Sequence, residues 1–279
     1  MSNISESNKR IAKNTLYLYL RMFVFLIMGL FTARVTINAL GVSDYGLLNV
    51  VGGVMGFIGY FSTLLSSGTS RYLTVGLGKG DMNELKKIFS ACGTLHLGMA
   101  LATLLIGETI GLWFVNYKLV IPPDRMFAAN YIYQLSLLGA FLGVTQSPYM
   151  ASVIAHEKMS TFAFMSIFDV AFKLIIVCLL LYVDTDKLMM LSTFYTVTGI
   201  MTFLMYRIYC LRKFEECSMR LLWDKKLSKD IWNYVGWNSI GSFAYMANNQ
   251  GITVVLNLFF STVVNAARGI ASTVSTNIY

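Results

Sequence analysis

The chain is short of charge. Asp, Glu, Lys and Arg make up 13% of its residues, about half of what a soluble domain carries. Apolar residues make up 56%, too many for so few charges to cover with an ordinary water-facing surface. Proline is scarce as well, at three residues, and glycine stands at 22. Neither a collagen-like nor a proline-rich disordered chain has that composition. The only two histidines, His96 and His156, are isolated. No HExxH pattern is present, and Cys92, Cys178, Cys210 and Cys217 lack metal-ligand spacing. No metal site and no cofactor is expected, and the cysteines read as packing thiols. GxSxG, a phosphate-binding P-loop and an acidic pair in a loop of domain size are all missing. An enzyme is not expected, nor is ATP-driven transport by this chain.

What the chain does have is apolar length. Seven stretches, near 14–37, 45–70, 88–115, 127–154, 160–182, 188–210 and 231–257, each reach the roughly 20 residues that span a bilayer. An eighth begins near Val263. The expected fold is an all-α polytopic membrane protein, with an N-terminal lobe of six helices over 1–210. A basic cytoplasmic linker follows over 211–230, then the start of a second lobe over 231–279 that is cut short. The first apolar stretch is too long for a signal peptide and carries two arginines, so no cleaved leader is expected.

The net charge of +8 has a positional explanation. With the N-terminus inside, fifteen lysines and arginines fall in or beside the inner connections. Only Lys118, Arg125 and Lys187 fall outside. That asymmetry predicts a cytoplasmic N-terminus and leaves no nucleic-acid partner to infer. Asn14 and Asn38 bracket span one, and Asn233 and Asn257 bracket span seven at a constant offset of 219. This is a weak signal of internal repetition, a common feature of transporters.

Polar residues inside the spans are the candidates for function. On span one, Asn14, Tyr17, Arg21, Met28, Thr32 and Thr36 share an arc of about 100°. Arg21 lies deep enough to need either a polar cavity or an ion pair, whereas Arg34 can snorkel to the outer interface. Span two carries a stripe of small and polar residues from Asn49 to Ser70, suited to close packing or to a cavity wall. On span five, Asp169 precedes Lys173 by one helical turn, either as an internal ion pair or as charged cavity groups. Glu108 is alone on span three; it and Asp169 are the candidate ion-coupling carboxylates. Span seven puts Asn238, Ser242, Tyr245, Asn249 and Thr253 within an arc of about 80°. That stripe either glues helices together or faces a cavity suited to a hydroxyl-rich ligand.

Four segments carry a family resemblance. NTLYLYLRMFVFLIMGLFTARVTINALGVSDYGLLNVVGGV, SRYLTVGLGKGDMNELKKIFS, IWNYVGWNSIGSFAYMANNQGITVVLNLFF and VVNAARGIAS resemble, in type and order, segments of Wzx-type O-antigen and capsule repeat-unit flippases. Those belong to the multidrug/oligosaccharidyl-lipid/polysaccharide exporter (MOP) superfamily. The resemblance implies two six-helix lobes around a central cavity. It also implies flipping of undecaprenyl-pyrophosphate-linked oligosaccharide across the bacterial inner (plasma) membrane by alternating access. The implied partners are the lipid-linked oligosaccharide, the bilayer, a polysaccharide polymerase and other export machinery. By position, Arg21 and Arg268 are implied to contact pyrophosphate or acidic sugar; Arg268 reads equally as an interfacial anchor. The family's second lobe runs on for about five more helices, so a fragment is expected. A cation-coupled multidrug or small-solute exporter of the same superfamily is the alternative, followed by a non-transporting cell-envelope membrane protein.

Overall fold

The structure is a computed structural model. It describes the backbone of residues 2–183, 185–218, 222–260 and 262–278. Side chains are described within those ranges except for 2–7, 56–64, 238–247, 249–250, 262 and 273–278.

All regular structure among the described residues is helical. The chain runs through α1 (Ser2–Lys79), α2 (Met82–Ile106), a π-helical turn (Gly107–Gly111) and α3 (Leu112–Tyr117). It continues through α4 (Met126–Ala155), α5 (Met159–Leu179), α6 (Lys187–Lys213), α7 (Lys225–Phe259) and α8 (Thr262–Ile278). Among the described residues, five helical stretches are long and apolar enough to cross a membrane.

Helix starts follow local chemistry. Asp81 accepts from the amides of Asn83 and Glu84 at 2.9 and 3.2 Å. Asp186 accepts from those of Leu188 and Met189 at 3.1 Å each, and Asp224 from Leu227 N at 2.9 Å. Each carboxylate satisfies amides that a helix start leaves without partners.

The expected break between spans one and two is not a loop. Both spans lie in α1, interrupted only at Gly41, with φ 77° and ψ 171°. No other heavy atom comes within 4 Å of where its Cβ would stand, so backbone conformation and not space calls for glycine there. The linker also changes shape. α6 runs to Lys213 and α7 starts at Lys225, leaving a short connection in which Glu216 is 2% exposed and Cys217 is fully buried. Hydrogen bonding with Cys210, and then burial, push the Cys217 thiol up from its ordinary value, in keeping with a packing role.

Contacts between connections separate the two ends. At the basic end, Arg10 Nε meets Glu157 Oε2 at 3.0 Å, Lys86 Nζ meets Glu215 Oε2 at 3.5 Å, and His156 Nε2 meets Glu216 Oε1 at 2.6 Å. At the opposite end one cation ties three connections together. Arg125 donates through Nε to Asp44 Oδ1 at 2.9 Å and through Nη1 to Asp186 Oδ2 at 2.7 Å, and its Nη2 also engages Asp44. The helices therefore alternate in direction as the charge pattern requires.

Apolar clusters sit toward both ends. Leu73, Phe89, Tyr149 and Tyr206 belong to the cluster nearer the basic end. Leu47, Val115, Ile132 and Tyr133 form one nearer the other end, with a smaller group around Ile176 and Leu191 beside it.

Candidate functional site

A cavity of about 310 Å³ opens between α1, α4, α5 and α6, with Arg21, Gln146, Asp169, Lys173, Thr202 and Tyr206 in its wall. Glycine makes the room. Gly139 and Gly143 on α4 and Gly199 on α6 face it, and a Cβ at any of the three would meet nothing within 4 Å. Just beyond them, Pro148 lies inside α4 and cannot donate to the carbonyl one turn back. Thr145 Oγ1 answers carbonyls of the same region, within 3.0 Å of both Phe141 O and Leu142 O.

Three charged groups define the electrostatics. Lys173 Nζ donates to Asp169 Oδ2 at 2.8 Å, the one-turn pairing the sequence suggested. Thr202 Oγ1 lies 2.7 Å from Thr198 O and 3.3 Å from the second oxygen of Asp169. Arg21 stands apart from this pair. Its guanidinium carbon lies 4.8 Å from the Phe25 ring centroid and 4.6 Å from that of Phe162. Among the described residues it has no carboxylate partner, and its buried Nε has no hydrogen-bond partner. One anion against two cations leaves the cavity with an excess positive charge. A guanidinium stacked on rings keeps its donor edge available, and a planar fork of donors fits phosphate or carboxylate oxygens.

A second cavity of about 270 Å³ adjoins the first at Lys173 and is lined by Thr32, Thr36, Tyr45, Asn49 and Tyr195. The polar stripe of span one thus feeds two adjoining cavities on one side of α1, with Arg21 in one and Thr32 and Thr36 in the other. Asn49, from the small-residue stripe of span two, has both of the roles considered for it. It lines the second cavity, and it packs so closely on Gly269 of α8 that a Cβ there would fall 2.5 Å from its side chain.

The other candidates whose side chains are described lie elsewhere. Asn14 is half-buried on α1 and lines neither cavity, and Arg34 is exposed. Glu108 is exposed on the π-helical turn, where Gln134 Nε2 donates to it at 3.1 Å. It is not brought to Arg21 or to the Asp169 pair. Arg268 on α8 also lines neither cavity, and its buried Nε has no hydrogen-bond partner among the described residues. The side chains of Asn238, Ser242, Tyr245 and Asn249 lie outside the described ones.

Asn257, which the sequence marks only through the offset of 219, is fully buried and makes a two-point contact. Its Oδ1 accepts from Val120 N at 3.0 Å and its Nδ2 donates to Val120 O at 3.3 Å. Next to it Asn265 inserts into the hydrogen-bond ladder of α7. With its amide oriented to satisfy both neighbours, it donates to Thr253 O at 2.9 Å and accepts from Asn257 N at 3.1 Å. Asn38, the supposed counterpart of Asn257, is exposed, so the two have different surroundings.

No protein-family profile and no curated protein sequence matches the chain. Solved structures do. An inward-facing multidrug resistance MATE family transporter of the MOP superfamily matches with TM-score 0.69 at 14% identity, over 95% of this chain and 61% of that one. A MATE protein in complex with MaD3S matches with TM-score 0.64 at 16% identity, over 95% and 68%. A MOP superfamily transporter from Pyrococcus furiosus Vc1, whose binding pocket is described as having reverse polarity suggesting a different function, matches with TM-score 0.55 at 16% identity, over 92% and 67%. The chain therefore has the fold of MOP superfamily transporters and spans 61% of the length of the first of these structures.

Proposed function

We propose that the chain works as a membrane exporter by alternating access, and that its cargo is an anionic, lipid-linked oligosaccharide. The fold it shares with MOP superfamily transporters supports the first part. The single observation that carries the second is Arg21, held in a polar cavity without a carboxylate partner among the described residues. A cationic cargo would meet repulsion there. A pyrophosphate or acidic sugar would meet the free donor edge of the guanidinium and the excess positive charge around it. The resemblance of the four sequence segments to repeat-unit flippases agrees with that charge.

A second reading has its own support. Two of the fold neighbours reported above are named MATE, one of them a multidrug resistance transporter. By those names a small-solute or multidrug exporter is the nearer relative. It would place the working groups at carboxylates, of which the cavity has only Asp169, already paired with Lys173.

The two readings separate in one experiment. The gene's full open reading frame is expressed in a strain lacking its own repeat-unit flippase, and separately in a drug-sensitive efflux-deficient strain. Surface polymer restored by the wild type and lost with Arg21→Gln supports the flippase. Drug resistance that depends on Asp169 or Glu108, with no polymer restored, replaces it with the multidrug exporter.

A further inference from the structure

Helices α5 and α6 leave a groove between them at each end, and the two grooves differ in chemistry. The one toward the basic end encloses about 660 Å³, with Met165 and Phe168 of α5 facing Met201, Leu204 and Ile208 of α6. Its end is closed by Arg212 and Lys213. The groove toward the other end encloses about 290 Å³, is equally apolar, finishes at Tyr182 and Val183, and has no cation in its lining.

We propose that the basic-end groove is a binding site for one anionic phospholipid, with an acyl chain along the α5–α6 seam and the phosphate on Arg212 and Lys213. The inference does not depend on which cargo is carried. Three observations support this occupant. The groove is open, with Met201, Leu204 and Ile208 at 41%, 44% and 46% exposure. Its two cations are exposed and have no carboxylate partner among the described residues. A favourable position at the C-terminus of α6 explains a basic last turn, but not an apolar trough running down from it.

The third observation is length. From Met201 to Arg212 the α6 backbone rises by about 16 Å at 1.5 Å per residue. That matches the roughly 15 Å hydrocarbon depth of a single leaflet. A partner transmembrane helix would need the full height of the seam, whereas one lipid needs only this half. The charge rule assigns the basic end to the cytoplasmic leaflet, where anionic lipids attract basic residues.

The purified chain in nonionic detergent is titrated with phosphatidylglycerol or phosphatidylcholine, and lipid retention is read by native mass spectrometry. One phosphatidylglycerol per chain is expected to be retained in preference to phosphatidylcholine, by about fivefold for each cation. Arg212→Gln with Lys213→Gln removes the preference, while Lys187→Gln at the other end leaves it intact. Ile208→Trp, which fills the groove and keeps both cations, lowers retention of either lipid. Equal retention of the two lipids by the wild type overturns the proposal. So does an unchanged preference in the double variant, or undiminished retention in Ile208→Trp. Should the double variant fail to fold, the wild-type comparison and Ile208→Trp decide the question.

Discussion

Arg21 and Asp169 line the same cavity without pairing, and the Asp169 carboxylate is held instead by Lys173 at 2.8 Å. Removing one charge or the other should therefore have opposite effects on anion binding. Asp169→Asn leaves two uncompensated cations and is expected to tighten pyrophosphate binding to the purified chain by about fivefold. Arg21→Gln is expected to weaken it by about tenfold or more, the value of a charge-assisted hydrogen bond. Arg21→Lys should fall between, keeping the charge but losing the fork and most of the stacking on Phe25 and Phe162. Titration calorimetry at low and high salt checks the order. Weaker binding in Asp169→Asn would contradict it.

The cavity-facing glycines give a test of space. A side chain at Gly143 or Gly199 meets nothing within 4 Å at its Cβ, so Gly143→Leu and Gly199→Leu should fold as well as the wild type. Loss of glycine from a helix is itself worth up to about 1 kcal/mol. Both variants should nevertheless lose export, since the side chain grows into the cavity. Gly107 and Gly111 are the contrast: a Cβ there collides with Leu137 and with the Tyr133 hydroxyl. Alanine at either should cost about 1–3 kcal/mol through overpacking. Thermal unfolding in detergent, alongside export, separates the two pairs.

The Asn257 contact is a candidate latch at the end opposite the basic one. Asn257→Ala leaves the Val120 amide and carbonyl without their present partner, at a cost of about 1–3 kcal/mol. Hydrogen exchange at Val120 is expected to speed up by about tenfold in the variant, the equivalent of about 1.4 kcal/mol. Exchange at Leu137, in the core of α4, should not change. An unaltered Val120 rate means that the contact holds nothing closed.

At the basic end the test is of a buried charge. Glu216 is 2% exposed and its closest partner is His156 Nε2, at 2.6 Å; the His156 ring also stacks on Phe214 with centroids 3.9 Å apart. His156→Ala abandons the carboxylate and should destabilise the chain by about 2 kcal/mol or more. Glu216→Gln keeps an acceptor for the imidazole N–H and should cost about 1 kcal/mol or less. Thermal midpoints measured together check the asymmetry.

Much of this architecture was legible from apolar length and periodicity, because in a bilayer both are set by local physics. The Asp169–Lys173 pair was legible for the same reason, since partners one turn apart need no knowledge of the fold. The polar face of span one pointed to Arg21, Thr32 and Thr36. Gln146 and the Gly139–Gly143 spacing on α4 carried a similar signal that periodicity could have found. What stayed hidden joins distant parts of the chain. Neither His156 with Glu216 nor Asn257 with Val120 leaves a mark in the sequence, since His156, Glu216 and Asn257 each look like an ordinary polar side chain near a helix end and Val120 contributes only its backbone. Glu108 and Arg268 show the converse. Each stood out as a charge in an apolar context, and the fold puts both away from the cavity.

Gly41 makes α1 a lever. Asp44, three residues beyond the break, is held by Arg125, so the limb after Gly41 is anchored at its root. The limb before it carries Arg21 twenty residues away, a reach of about 30 Å along the helix axis. On an arm of that length a swing of about 10° at one residue displaces the guanidinium, together with Phe25 on the same limb, by about 5 Å, further than its present 4.6 Å spacing from the Phe162 ring on α5. A change in two backbone angles at Gly41 would therefore be felt at the cavity, some thirty ångströms away, as a shift of its unpaired cation.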